Sequence, residues 1–534
     1  MTQWRRVLRE QSYSRSFIWK TANAILLGSI ALGGLVDLVV RFQSRPSTQE
    51  LAIDIANSEF QYFNGSLRDD QNIPPSLIEF LHNPEITVED ALSATSYIAP
   101  HFIGPNQTQI SQLLFQRFDD QTVALLRDYF IATSRPKSPS RERLEQSALF
   151  EPTPRYANRL IGELELNARQ YNRAYPYFKR EGLFPEAEKS RQLAVAMLVY
   201  GERFDELSEL LTDPAYESYK TTSIKLDIAI HQLNWWNVAK TLPIKMFSNI
   251  DWKMATIALI AALVWAALLL RLGQIESWRS RTSGLCLLAF IAGWLSAIPT
   301  VFLVILQDAY LGYKPNGELI PTIAYYIGGV GLREEFCKII FFLPFAFSLA
   351  RKGVELESMI IASFIGLGFA AEENVSYFSN SFALAAPARF LTANFFHISL
   401  TGMGGLFLCR AIRKSNYNDF LYVFGIIVFV HGVYNSFLSL PQFQEGYFFA
   451  MITYILMSMY YFRELNGVTY RNTPSYSLSF IFVSGLCLIL ASLIIFQSSQ
   501  VGIASALKII VPETVGSIIM IFMFFREFNE ALGE

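Results

Sequence analysis

Four stretches of the sequence set ionisable and amide side chains among neighbours that are almost all apolar. They hold Arg333, Glu334, Glu335 and Lys338; Glu372, Glu373, Asn374 and Tyr377; His397 and Thr401; and His431 and Asn435. Residues four apart lie one above the other on a helix face. Glu334 with Lys338, Glu373 with Tyr377, His397 with Thr401, and His431 with Asn435 therefore each define one polar face. Four successive apolar helices hide such faces most cheaply by turning them on one another, which makes a buried polar site. Two adjacent carboxylates there do not both ionise cheaply, so one of Glu334 and Glu335 is expected to keep a proton while Lys338 neutralises the other. With a water, such a base, and His397, His431 and Asn435 as donors to a developing oxyanion, the reaction most readily assembled is hydrolysis of an amide or ester. The same set can instead hold a divalent metal such as zinc, because two imidazoles and a carboxylate suffice for a catalytic site with an open position. His397, His431 and Glu373 are the candidate donors. The residues leave both options, no cofactor and a divalent metal, open.

Taken singly, each pair has a plain structural account. Glu334 with Lys338 reads as an ion pair, His397 as a hydrogen-bonded packing residue, His431 with Asn435 as a contact between helices, and Tyr377 as an interfacial aromatic. These accounts weaken when all must hold at once in four adjacent helices. Neither HExxH nor GxSxG occurs, which argues against a zincin and against a nucleophile elbow. A proton-coupled transporter is the rival from another class, but it predicts matching broken helices in two halves, and the polar motifs sit in one block. A non-catalytic membrane scaffold is the third reading, and it would tolerate loss of the glutamates.

The elements that position these residues lie in a membrane. The 534 residues are 52% hydrophobic and 17% charged, against about 25% charged in soluble proteins. A net charge of −2 excludes the basic balance of a nucleic-acid binder. The four cysteines, Cys286, Cys337, Cys409 and Cys487, all fall in apolar stretches and outline no disulfide framework. Apolar runs long enough for a bilayer predict ten spans: 22–40, 254–270, 284–306, 321–350, 359–378, 392–409, 420–438, 447–461, 477–496 and 509–525. The first reads as a retained signal anchor. Basic residues collect at the N-terminus and around 271–281, 351–352, 410–414, 463–471 and 526, whereas the short loops of the other side carry only Lys314, Arg389 and Lys508. That bias places both termini in the cytoplasm. The expected divisions are 1–41, cytoplasmic N-terminus and anchor; 42–252, an extracytoplasmic domain; and 253–534, the membrane domain with its chemical block at 320–440. The expected fold is therefore an all-α polytopic membrane bundle with an inserted extracytoplasmic helical domain.

Residues 42–252 show helical spacing throughout. Short paired helices are expected at 155–168, 171–180, 185–200, 204–211 and 219–232, and hairpins near 34 residues suggest a tetratricopeptide-like solenoid, with an irregular helical domain as the alternative. Paired helices of this kind suit a protein partner. Turn-rich stretches at 72–75 and 135–140 mark loops, and sequons at Asn64 and Asn106 fit a non-cytoplasmic location. Helix rise alone sets Glu334, Glu373, His397 and His431 about 26, 22, 20 and 17 Å above the inner face of a core about 30 Å thick. One layer at or beyond the midplane, on the side of residues 42–252, would hold them all.

The motifs resemble those of the PrsW intramembrane proteases, which are distantly similar to CAAX prenyl proteases and bacteriocin-processing membrane enzymes. They are Glu334-Glu335-Phe-Cys-Lys338, then Gly368-Phe-Ala-Ala-Glu-Glu373-Asn374-Val-Ser-Tyr377, then His397, then His431-Gly-Val-Tyr-Asn435, in order and on consecutive spans. The resemblance covers about residues 320–440. It implies an intramembrane endopeptidase of glutamic type, or a metallopeptidase, in a bacterial inner membrane, acting on membrane-anchored proteins. Glu334, Glu335, Glu373, His397 and His431 would be catalytic, with Lys338, Asn374, Tyr377 and Asn435 in support. It says nothing of residues 42–252.

Overall fold

The computed structural model describes residues 3–43, 73–440 apart from 74, 85, 104, 105, 276, 278 and 316, then 446–469 and 476–528. The sequon at Asn64 and the loop cation Arg471 lie outside the described residues. Among the described residues every regular element is helical. The chain forms two compact units, Met1–Gln43 with Val238–Glu534, and Ser44–Asn237.

In the larger unit the helices that matter are α1 (Trp252–Leu272), α2 (Arg281–Leu295), α3 (Leu332–Lys352), α4 (Glu355–Asn380), α5 (Ala386–Leu391), α6 (Ala393–Lys414), α7 (Asn418–Ser439), α8 (Gly446–Val468) and α9 (Leu478–Val501). Among the described residues six helices are long and apolar enough to cross a membrane: 15–42, 252–272, 281–311, 386–414, 418–439 and 478–501. This makes the chain a multi-pass membrane protein. The other four expected spans are helical too but fall outside that description. For α3 and α4 the reason is visible in the sequence: Arg333, Glu334, Glu335 and Lys338 in one, Glu372, Glu373 and Asn374 in the other, dilute the apolar run.

α6 lies at the centre, with most of its residues buried, and packs chiefly on α4. Gly366 permits the approach: a Cβ there would overlap the backbone carbonyl of His397, so only glycine lets α4 cross at the level of the histidine. The last turn of α3 ends in Arg351 and Lys352 and is closed by Gly353 at φ +68°, the usual left-handed helix stop. α4 then opens with Glu355, whose carboxylate accepts from Arg410 (2.8 Å) and Arg413 (2.5 Å) of α6, while Arg410 also reaches Glu464 of α8 (3.1 Å). This network locks three helices at the end remote from the histidines. Before α3 the chain runs through a π-helical stretch, Tyr325–Gly331. It packs on α7 so closely that a Cβ on Gly432 would overlap Ile327. Wide turns of this kind are a common neighbour of functional side chains.

The N-terminal helix Arg15–Gln43 runs along α9. Ser12 Oγ accepts the Ser477 N–H at 3.0 Å, and Asp37 accepts from Arg41 (2.7 Å) and from the backbone of Ile503 (3.2 Å).

In the smaller unit, helices occupy Ala157–Asn167, Tyr171–Glu181, Glu188–Tyr200, Phe204–Leu210 and Thr222–His231, close to the sequence expectation. Three interhelical turns share one geometry. Arg169, Glu202 and Leu233 adopt φ of 58°, 53° and 52°. The next N–H, of Gln170, Arg203 and Asn234, bonds the carbonyl five residues back, of Glu165, Leu198 and Ala229, at 2.8 to 2.9 Å. This is the Schellman ending. An aromatic residue follows each time, Tyr171, Phe204 or Trp235.

Candidate active site

α3, α4, α6 and α7 bring their polar residues together as the spacing predicts. Lys338 Nζ donates to Glu335 Oε1 (2.7 Å) and to His397 Nδ1 (2.8 Å). Glu335 Oε1 also lies 2.8 Å from His431 Nδ1, and His397 Nε2 lies 3.1 Å from Glu373 Oε2. Glu373 in turn accepts from Arg389 Nη2 at 2.6 Å. One unbroken run of contacts thus links Arg389, Glu373, His397, Lys338, Glu335 and His431. Lys338 is 0% and Glu335 1% exposed, so these charges must satisfy one another. Three carboxylates, of Glu334, Glu335 and Glu373, face two cationic side chains, Lys338 and Arg389, and the cluster is neutral when it holds one further proton.

The hydrogen bonds fix both imidazoles. An ammonium can only donate, so His397 Nδ1 presents its lone pair to Lys338 and Nε2 carries the hydrogen given to Glu373. A carboxylate can only accept, so His431 gives its Nδ1 hydrogen to Glu335 and turns the Nε2 lone pair toward Glu334 Oε2, 3.6 Å away. Glu334 stands apart: its Oε2 is buried and hydrogen-bonds nothing. Lys338 is 3.8 Å from it.

The remaining expected residues occupy varied positions. Asn374 donates to Asn394 Oδ1 and accepts from Arg389 Nε, both at 2.5 Å. Tyr377 lies beneath the Arg389 guanidinium, 3.7 Å from its ring centre. Thr401 is buried with an unpartnered Oγ1. Asn435 is half-buried and among the described residues hydrogen-bonds none of the cluster. Arg333 faces away, donating to Gln307 at 2.5 Å. Two residues were missed by the sequence reading. Arg389, which that reading places among loop charges, comes from α5 and holds Glu373, Asn374 and Tyr377 together. Asn394, three residues before His397, was recoverable from helical spacing, and its Nδ2 is buried without an acceptor.

The site is thus a buried run of alternating acids, bases and imidazoles between apolar helices, with one carboxylate oxygen left open. Residues 281–461 match the family model described as PrsW family intramembrane metalloprotease. The PrsW match opens on α2 and ends within α8, so it takes in α3 to α7 and every residue of the run. No curated protein and no solved structure matches the chain.

The PrsW description raises the question of a metal. Glu334, His397 and His431 each offer one ligand atom, all within 4.8 Å of one another. Each imidazole gives its other N–H to a carboxylate, His397 to Glu373 and His431 to Glu335, the usual orientation of a histidine ligand. With the open Oε2 of Glu334, the donor set fits a zinc-type ion. Glu373, the carboxylate donor expected from the sequence, lies outside this group of three and accepts from His397 Nε2 at 3.1 Å.

Proposed function

We propose that this chain is an intramembrane endopeptidase that hydrolyses peptide bonds of membrane-anchored proteins, with Glu334 as general base. The observation that carries this is the open Oε2 of Glu334 beside a run of groups that are all hydrogen-bonded. Glu334 takes a proton from water as the water oxygen bonds to the scissile carbonyl carbon, and returns it to the amide nitrogen as the C–N bond breaks. Glu335 holds Lys338 and His431 in place, while Glu373 and Arg389 hold His397. Both imidazole hydrogens are committed to carboxylates, so Lys338, Asn435 and Asn394 are the donors left for the oxyanion. Glu334, His397 and His431 are the residues that would hold a divalent ion such as zinc; its Lewis acidity would polarise the carbonyl when bound, and Glu334 would then be a ligand in place of the base.

Ten spans, both termini in the cytoplasm of a bacterial inner membrane and residues 42–252 outside complete the reading, supported by the distribution of Lys and Arg. The three left-handed turns, 33 and 31 residues apart, support tandem hairpins of tetratricopeptide type, which suit a protein partner. Cleavage then falls in the outer third of the substrate span or its adjoining stalk. The test is co-expression with single-pass membrane proteins tagged at both ends, comparing the wild type with Glu334→Gln and mapping the new terminus by mass spectrometry. No Glu334-dependent fragment from a broad substrate panel would refute the assignment, and a cut at the cytoplasmic boundary would refute the depth.

A further inference from the structure

The cluster converges on one atom. Lys338 Nζ lies 2.7 Å from Glu335 Oε1, 2.8 Å from His397 Nδ1 and 3.8 Å from Glu334 Oε2, and 4.2 Å from the ring centre of Phe369. Two of these neighbours, Glu334 and His397, belong to the three residues able to hold a metal ion. The His397 Nε2 hydrogen is given to Glu373, so the ring has a single lone pair to offer, on Nδ1, and Lys338 takes it. One lone pair serves one cation. The ammonium is also fully buried, so leaving its acceptors carries the cost of an unpaired buried charge.

We propose that the Lys338 ammonium is the resident cation of this site, and that a divalent ion binds Glu334, His397 and His431 only by displacing it. With the ammonium in place, Glu334 is free to act as a base; with a metal in place, Glu334 is a ligand. The inference rests on those three residues as the donors, and its test reads binding rather than cleavage, so an inactive preparation does not bear on the result.

The experiment titrates the full-length chain in detergent with zinc alone, against a chromophoric chelator, and counts bound metal by mass spectrometry. Lys338→Met should bind one zinc at least about tenfold tighter than the wild type, a difference of about 1.4 kcal/mol. Lys338→Arg, which keeps a cation, should remain close to the wild type. Adding Glu334→Gln to Lys338→Met should remove the gain. Equal or weaker zinc binding by Lys338→Met overturns the proposal, as does a gain that survives Glu334→Gln. If the methionine variant does not yield folded protein, Lys338→Gln carries the same comparison. A wild-type chain that keeps one equivalent of zinc through chelation overturns it without any variant.

Discussion

Arg389 and His397 meet on a single oxygen: Oε2 of Glu373 accepts from Arg389 Nη2 at 2.6 Å and from His397 Nε2 at 3.1 Å. The guanidinium comes from a six-residue helix, α5, between two long ones. It keeps Glu373 an acceptor, and Glu373 keeps the His397 lone pair on Nδ1. Arg389→Ala should therefore lower turnover by about 10- to 100-fold, the usual effect of losing a partner that orients a histidine. Arg389→Lys should recover only part, because a point charge does not reproduce the forked contact with Glu373 and Asn374 or the stack on Tyr377. Wild-type turnover in Arg389→Ala would show that the contact is structural only.

Glu334→Gln, Glu335→Gln and His431→Ala should each reduce cleavage by about 10² to 10⁴ while the protein still inserts and purifies as a single species. Glu334→Gln removes the open base, and the other two break the pair that sets the Lys338 and His431 hydrogen bonds. A tagged single-pass substrate and a gel suffice, and full cleavage by Glu334→Gln would remove the proposed base.

Gly366→Ala should be costly. Its Cβ would meet the His397 carbonyl, so α4 and α6 must separate at the height of the site, at a cost of about 1–3 kcal/mol. Gly425→Ala, where a Cβ meets nothing within 4 Å, is the control. Melting in detergent should fall for the first and stay level for the second, and equal melting points would show that the crossing is looser than described.

Topology is open to impermeant maleimide. The four native cysteines are all buried, and Lys137 and Asn416 are exposed. From outside intact cells, Lys137→Cys should label and Asn416→Cys should not. The reverse pattern would invert the proposed orientation.

Helical spacing gathered most of the site because i and i+4 on one helix share a face whatever the rest of the chain does. It named the four helices, and it brought together Glu334, Glu335, Lys338, Glu373, His397 and His431. It was weaker on who bonds to whom. The nearest carboxylate to Lys338 is Glu335, three residues away, rather than Glu334 at four, since the side chain swings toward the groups on α6 and α7. His431 and Asn435 share a face, yet only the histidine joins the run. Arg389 was out of reach of periodicity, because a residue between helices has no face until the connection folds back. The π-helical stretch was equally hidden, as its Ile327 packs on Gly432 of α7, a contact between distant parts of the chain that local composition does not reveal.

The pairing of the N-terminal helix with α9 and the start of the next helix also governs how the protein is made. Ser12 and Ser477 are 465 residues apart in the chain. A ribosome moving at about 5–20 residues per second needs roughly 20–90 s to cover that distance. Through that interval the first helix sits in the bilayer without its partner, and Asp37 has only the neighbouring Arg41 to neutralise it. Docking of the first helix on α9 therefore waits until residues 478–501 have been made, and a nascent chain stalled before residue 478 should present its N-terminal helix to quality-control proteases.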